Sequence, residues 1–151
     1  MKAVSSVRLP VGVDAVVPWV SDLGRFREWM PIVHRVEPDP GAGDAGAWNV
    51  ELRAKVGPFA RSKRLRMERT AADLMPGRAE FLFERREMDG APHSAWVMHV
   101  TVSETAGGCE VTIDLEYRGS LWSAGVLDKV LAAQIEEGKK GLLRVVTAPM
   151  Q

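Results

Sequence analysis

Residues 47–56 read Ala47-Trp48-Asn49-Val50-Glu51-Leu52-Arg53-Ala54-Lys55-Val56. Apolar and polar residues alternate with period two throughout, so one face is oily and the other charged. Such alternation marks a half-buried antiparallel strand. It returns four times downstream. Residues 61–70 put Leu65 and Met67 on the apolar face, and residues 79–87 put Ala79, Phe81 and Phe83 there. Residues 95–104 contribute Trp96, Met98, Val100 and Val102, and residues 110–118 contribute Val111, Ile113, Leu115 and Tyr117. Turn signals separate the runs: Gly57-Pro58-Phe59, Met75-Pro76-Gly77, Asp89-Gly90 and Gly107-Gly108.

Upstream, residues 3–9 read as a short strand and residues 13–30 as helical, with Asp14 as an N-terminal cap or first-turn acid. Pro18 and Gly24 interrupt that helical stretch, which predicts two short helices ended by Pro31. Residues 32–37 are then extended, and residues 38–46 form a loop. The loop contains Gly41, Gly43 and Gly46 in GxGxxG spacing. A dinucleotide fingerprint needs a helix after those glycines, and here a strand follows, so the match is read as a loop. From about residue 121 to 147 the period becomes helical, with Leu127, Leu131, Ile135, Gly138, Leu142 and Val145 on one stripe. Gly138 and Gly141 each cost a helix about 1 kcal/mol relative to alanine, which predicts a close approach or a bend there.

Simple hairpins centred on the turns place residues in rows across the sheet. The inward rows are Leu52, Leu65, Phe83, Met98, Tyr117, then Val50, Met67, Phe81, Val100, Leu115, then Trp48, Arg69, Ala79, Val102, Ile113. A further row toward one sheet end holds Ala54, Lys63, Arg85, Trp96 and Gly119. The outward rows alternate charge sign, so the arginines at 64 and 66 are expected to face Glu51 and Glu84, and His99 to pair with Glu116. The long C-terminal helix is the element that can cover the inward face. The expected class is α+β: a helix-grip fold, in which a curved antiparallel sheet of about six or seven strands wraps a long C-terminal helix, with two short helices after the first strand.

The chain has 151 residues, twenty Lys+Arg against twenty Asp+Glu, and 46% hydrophobic residues. That is one domain's worth of sequence, taken here as a single domain over residues 1–151. Balanced charge argues against nucleic-acid binding, which usually needs a basic excess. One cysteine, Cys109, excludes an internal disulfide. The N-terminus has no signal-peptide apolar stretch and no window reaches the length of a spanning helix, so a cytoplasmic location is expected.

Trp48, Leu52, Leu65, Met67, Phe81, Phe83, Trp96, Met98, Val100, Leu115, Leu127 and Leu131 are the candidate lining of an apolar ligand cavity, or else the filling of a core. Lys63 and Arg85 share the inward face with Trp96, and two cations are costly in a dry core. Either they reach solvent at the rim, or they hold an anionic group with Arg85 as the bidentate partner. Arg69 is expected to pair with an acid. Tyr117 is a candidate hydrogen-bond donor to a ligand. His34 and His93 fall in or near loops beside no nucleophile. The sequence has no HExxH, CxxC or GxSxG, and neither a metal nor a cofactor is expected.

The order of elements resembles the START-like or SRPBCC superfamily of lipid-transfer domains and polyketide cyclases. Asp22-Leu23, Trp29-Met30-Pro31, Val56-Gly57-Pro58, and Tyr117-Arg118-Gly119 leading through Leu121 and Gly125 are similar to its carbon monoxide dehydrogenase G-like branch. The resemblance implies a deep hydrophobic pocket between sheet and C-terminal helix, used for lipid-, quinone- or polyketide-like molecules. Members of that branch often carry a C-terminal membrane tail, and none is expected after Gln151. Three functions follow: carriage of a hydrophobic small molecule, cyclase or dehydratase chemistry by general acid–base catalysis, and an adaptor role through a patch at Phe59 and Trp122. A homodimer and peripheral contact with a membrane are compatible with each.

Overall fold

The computed structural model describes residues 2–41, 46–56, 58–118 and 126–148. Strand β1 (Lys2–Leu9) leads into helix α1 (Val13–Val20) and a 3-10 helix (Leu23–Glu28). Six strands follow: β2 (Val33–Pro38), β3 (Ala47–Val56), β4 (Phe59–Met75), β5 (Arg78–Arg85), β6 (Trp96–Thr105) and β7 (Gly108–Tyr117). Helix α2 (Val126–Thr147) closes the chain. All seven strands form one antiparallel sheet in the order β1-β7-β6-β5-β4-β3-β2. This is the helix-grip fold.

The two short helices part at Asp22 rather than at Pro18 or Gly24. Helix α1 runs through Pro18, and the Gly24 backbone N–H donates to Asp22 Oδ1 at 2.8 Å to start the 3-10 turn. Short Asx side chains favour such starts because they satisfy orphan N–H groups. Asp14 lies in the first turn of α1, whose N-cap is Gly12 without a side-chain cap.

The inward face holds its expected residues, but the rows differ. Between β5 and β6 the pairs are as expected: Phe83 with Met98, Phe81 with Val100, Ala79 with Val102. Between β3 and β4, Trp48 pairs with Met67, Val50 with Leu65 and Leu52 with Lys63, two residues from the expected register. Between β6 and β7, Trp96 pairs with Tyr117 and Met98 with Leu115, again a shift of two. The hairpins are tighter than the turn signals suggested: Val56 already pairs with Phe59, and Thr105 with Gly108. A shift of two keeps every side chain on its face.

Strand β4 departs further. It continues five residues past 70, and its register shifts between Arg69 and Ala71. On the turn side of this bulge Ala72 pairs with Phe81, and beyond it Arg69 pairs with Phe83 and Met67 with Arg85. One extra residue changes which parity faces inward. The bulge is therefore what returns Leu65 and Met67 to the buried side, where each is nearly inaccessible.

The outer face is only partly the expected ladder. Arg64 meets Glu51 at 3.7 Å, but Arg66 is buried, with 8% of its surface exposed. Arg66 Nε donates to Asp39 Oδ2 at 2.9 Å, and its Nη1 donates to Glu68 Oε2 at 2.7 Å and to the Arg86 carbonyl at 2.9 Å. The Arg66 hydrogen bond, with that of the Gly41 N–H, holds the Asp39 carboxyl below the usual carboxylate range. His99 stands opposite Leu82 and Asp114, not Glu116, because of the β6–β7 shift.

Candidate functional site: an apolar cavity under the C-terminal helix

A cavity of about 110 Å³ lies between the inner face of the sheet and α2. The sheet supplies Leu52, Leu65, Met67, Trp96, Met98 and Leu115 from the residues singled out in the sequence. Their alternation on twisted strands puts them on one wall. The volume approaches that of a cavity that takes up benzene, about 150 Å³.

Much of the wall comes from residues that strand alternation did not mark. Strand β1 adds Ala3, Ser5, Ser6 and Val7, and the 3-10 segment with the residues just after it adds Leu23, Phe26, Trp29 and Met30. Phe26 and Trp29 sit with ring centroids 4.6 Å apart, and Trp29 Nε1 donates to the Trp19 carbonyl at 3.0 Å. These contacts fix the plug at one end of the sheet. Helix α2 contributes Gln134, Ile135, Gly138, Lys139 and Leu142. At Gly141 an added Cβ would collide with the Trp29 carbonyl, so the helix backbone sits directly on the plug. This is the close approach that the helical glycines predicted. The side chains of Leu127 and Leu131 lie outside the described residues, as do Trp122, Leu121 and Gly119.

Trp48, Phe81, Phe83 and Val100 belong to the packed core and do not line the cavity. Phe83 meets Phe26 at 6.2 Å and Trp48 at 6.1 Å, so aromatic rings fill that part of the sheet. Tyr117 is also outside the wall: its ring stacks on Trp96 with centroids 5.2 Å apart.

Lys63 and Arg85 lie off the wall as well. The Arg85 side chain is largely buried, and its donors are engaged: Nε with Glu87 Oε1 at 3.0 Å, Nη1 with the Ser94 carbonyl and hydroxyl at 3.2 Å, and Nη2 near His93 Nδ1 at 3.4 Å. A buried cation is tolerable when paired and hydrogen-bonded in this way. Burial, with the nearby Arg85 charge, lowers the affinity of Lys63 for its proton, against the pull of Glu87. Among the described residues Arg69 pairs with no acid; its Nη1 donates to the Ser21 carbonyl at 2.7 Å and ties β4 to the end of α1. At the wall itself the cation is Lys139, bound to Glu136 at 3.0 Å. Among the described residues no cluster of His, Cys, Asp and Glu is arranged to hold a metal.

Residues 1–147 match the family model of polyketide cyclase / dehydrase and lipid transport proteins. The chain belongs to that family. Solved structures of the same fold cover nearly all of it. The protein TTHA0849 of Thermus thermophilus superposes with a TM-score of 0.69 at 16% identity, over 98% of both chains. A STAR-related lipid transfer protein of Xanthomonas axonopodis gives 0.67 at 19% identity, over 93% of this chain and 85% of that one. The Zhui aromatase/cyclase of Streptomyces sp. R1128 gives 0.63 at 16% identity, over 97% and 93%. No curated protein matches the chain by sequence. Within the family fold, the sheet and α2 enclose the cavity, and no helix among the described residues is long and apolar enough to cross a membrane.

Proposed function

We propose that this protein binds and carries a hydrophobic small molecule, of lipid, quinone or polyketide type, in the cavity under α2. The observation that carries this reading is the wall: it is built almost wholly of aliphatic, aromatic and methionine side chains. Concave apolar sites with a few polar groups are the usual small-molecule sites, and methionines such as Met30, Met67 and Met98 adapt to varied shapes. The candidate ligand contacts are Leu52, Leu65, Met67, Trp96, Met98 and Leu115, with Leu127 and Leu131 of α2 as further candidates.

Family membership and the neighbouring aromatase/cyclase favour a second reading, cyclase or dehydratase chemistry in the same cavity. General acid–base catalysis needs a titratable group within reach of the reacting atom. Among the described wall residues, Lys139 is the titratable side chain, and it is paired with Glu136. Carriage therefore ranks ahead of catalysis. An adaptor role ranks third: Phe59 is exposed, but Arg61 sits 5.9 Å over its ring. We place the chain nearest the carbon monoxide dehydrogenase G-like branch, acting in the cytoplasm as one domain.

The test is titration of the purified protein with an apolar fluorescent probe, beside an Ile113→Trp variant that fills the cavity. Saturable binding lost in the variant supports carriage. Equal binding by both proteins removes the cavity from the function.

A further inference from the structure

The β3–β4 hairpin reaches beyond the rest of the sheet. Strand β2 pairs with β3 only as far as Leu52, and β5 pairs with β4 only as far as Met67. One backbone bond continues on each side, from the Arg53 N–H to the Ile32 carbonyl and from the Arg86 N–H to the Arg66 carbonyl. Past these, residues 54–56 and 59–65 have only β3 and β4 as strand partners, so they form a two-stranded ribbon with both edges bare among the described residues. Its apex is apolar: Pro58, Phe59 and Ala60 are all exposed, Phe59 by 64%.

The hairpin is also uniformly basic. Residues 52–67 contain Arg53, Lys55, Arg61, Lys63, Arg64 and Arg66 and no acid, in a chain whose net charge is zero. The remainder of the chain is therefore net acidic. Arg66 is tied to Asp39 and Glu68, and Arg64 meets Glu51. Arg53, Lys55 and Arg61 are exposed and form no ion pair among the described residues. Pairing sets Arg61 opposite Ala54 on the face that turns inward farther along the sheet, and puts Arg53 and Lys55 on the other face. At about 3.3 Å per residue, all three lie within about 10 Å of Phe59 along the ribbon. Arg61 also stands over the Phe59 ring, 5.9 Å from its centroid. Cations on bare edges deter strand pairing, but that role does not call for an exposed phenyl ring at the apex.

We propose that this hairpin docks end-on on an anionic lipid bilayer. A partner that covers one face of the ribbon reaches either Arg61 or the pair Arg53 and Lys55; a planar surface met by the apex reaches all three. The polar layer of a bilayer leaflet is about 5–8 Å deep. Phe59 then enters the boundary with the hydrocarbon, Lys55 and Arg61 lie among the lipid phosphates, and Arg53 stays within a Debye length of about 8–10 Å. The same surface repels the net acidic remainder of the chain, which favours a ribbon-first approach. Leu52 and Leu65 of the cavity wall stand at the root of the ribbon, so docking turns that end of the cavity toward the bilayer. The docking itself rests on the shape and charge of the hairpin and not on the carriage reading.

Co-sedimentation of the full chain with vesicles tests this, using phosphatidylcholine alone and a 3:1 mixture of phosphatidylcholine and phosphatidylglycerol. The wild-type protein should bind the anionic vesicles, bind the neutral ones far more weakly, and release in 0.5 M NaCl. A Lys or Arg near such a surface is worth roughly fivefold in partition, so the double variant Lys55→Gln with Arg61→Gln should bind roughly twenty- to thirtyfold more weakly. Phe59→Ser should weaken binding roughly five- to tenfold, as loss of part of one aromatic burial implies. Arg8→Gln with Lys140→Gln removes the same charge from exposed positions on β1 and α2, and should change binding little. All four substituted positions in the two double variants are on the surface, and far-ultraviolet circular dichroism checks that each protein stays folded. Absence of binding to the anionic vesicles overturns the proposal. So does an equal loss in the two double variants, which would mean attraction without a docking site. Tighter binding to a single-stranded 20-mer oligonucleotide than to the vesicles, lost in the hairpin variant, would assign the surface to nucleic acid instead. Each of these failures leaves cavity binding of an apolar probe, and with it the carriage reading, untouched.

Discussion

The backbone of α2 at Gly141 rests on the carbonyl oxygen of Trp29, so that any side chain at 141 would occupy the same space as that oxygen. One residue pair thus joins the long helix to the plug and sets how closely α2 approaches the sheet. At Gly138, one turn earlier, an added Cβ would meet the Met30 and Trp29 side chains at 3.6–3.9 Å, an ordinary contact.

The two glycines should therefore respond in opposite ways. Gly141→Ala forces the helix off the plug and should cost about 1–3 kcal/mol, the usual range for overpacking. Gly138→Ala gains up to about 1 kcal/mol of helix propensity and should be neutral or stabilising. Denaturant unfolding of both variants checks this. Equal destabilisation would mean that α2 does not sit on Trp29 as described.

Core and cavity wall should separate by truncation. Phe83 is fully buried but off the wall, whereas Leu142 is both buried and on it. Phe83→Ala should cost about 3–5 kcal/mol and Leu142→Ala about 2–5 kcal/mol. Only Leu142→Ala should enlarge the cavity and admit bulkier apolar probes, which a probe-size series reads directly.

The inward alternation of five strands was legible because one face of each is buried, and burial imposes period two. Register was not: Gly57-Pro58 and Gly107-Gly108 mark turns, but not which residues pair across them, and Val56 with Phe59 and Thr105 with Gly108 are two residues tighter than centring suggested. The bulge between Arg69 and Ala71 leaves no mark in the alternation of residues 61–70. Half the wall was hidden for a related reason. Ser5 and Ser6 of β1 look like surface residues, Phe26 and Trp29 lie in short irregular turns without a period, and Gln134 shares the face of the apolar stripe on α2 but is polar, so a hydrophobic pattern passes over it. Arg85 has the inward parity of Phe83 on β5, but it stands opposite Met67 rather than in a row with Lys63. Its partners Glu87 and Ser94 lie beyond the end of β5, where periodicity has nothing to say.

Arg85 should act on stability rather than on ligand. Arg85→Met removes one of two donors to Glu87 Oε1, which keeps the Arg66 N–H and some solvent, and takes the guanidinium from the Ser94 carbonyl, so the loss should be about 1–2 kcal/mol. Affinity for apolar probes should be unchanged, since Arg85 is off the wall. A large drop in probe affinity in a folded variant would bring Arg85 back to the site.

Asp39 contributes a specific pH dependence. Its carboxyl titrates below the usual range because Arg66 and the Gly41 N–H favour the charged form. A depressed folded value means the stabilisation is fully present above the unfolded value of about 4 and is lost as pH falls through the folded value. The stability gap between wild type and Asp39→Asn should be constant near neutrality and close in acid. A gap that persists unchanged to the lowest pH at which the protein stays folded would show that Asp39 is not coupled to Arg66.

Cys109 is fully buried, and burial raises its thiol above the ordinary cysteine value. Thiolate is the reactive form. Modification by a thiol-specific reagent should be slow in the native protein and should track the opening equilibrium as denaturant is added. Rapid stoichiometric labelling under native conditions would contradict this burial.

The most direct measurement is native mass spectrometry of gently purified protein, wild type beside Ile113→Trp, followed by denaturing extraction. The expected result is a hydrophobic small molecule released from the wild type and absent from the variant whose cavity is filled. The same molecule in equal amount from both proteins would contradict a ligand held between the sheet and α2.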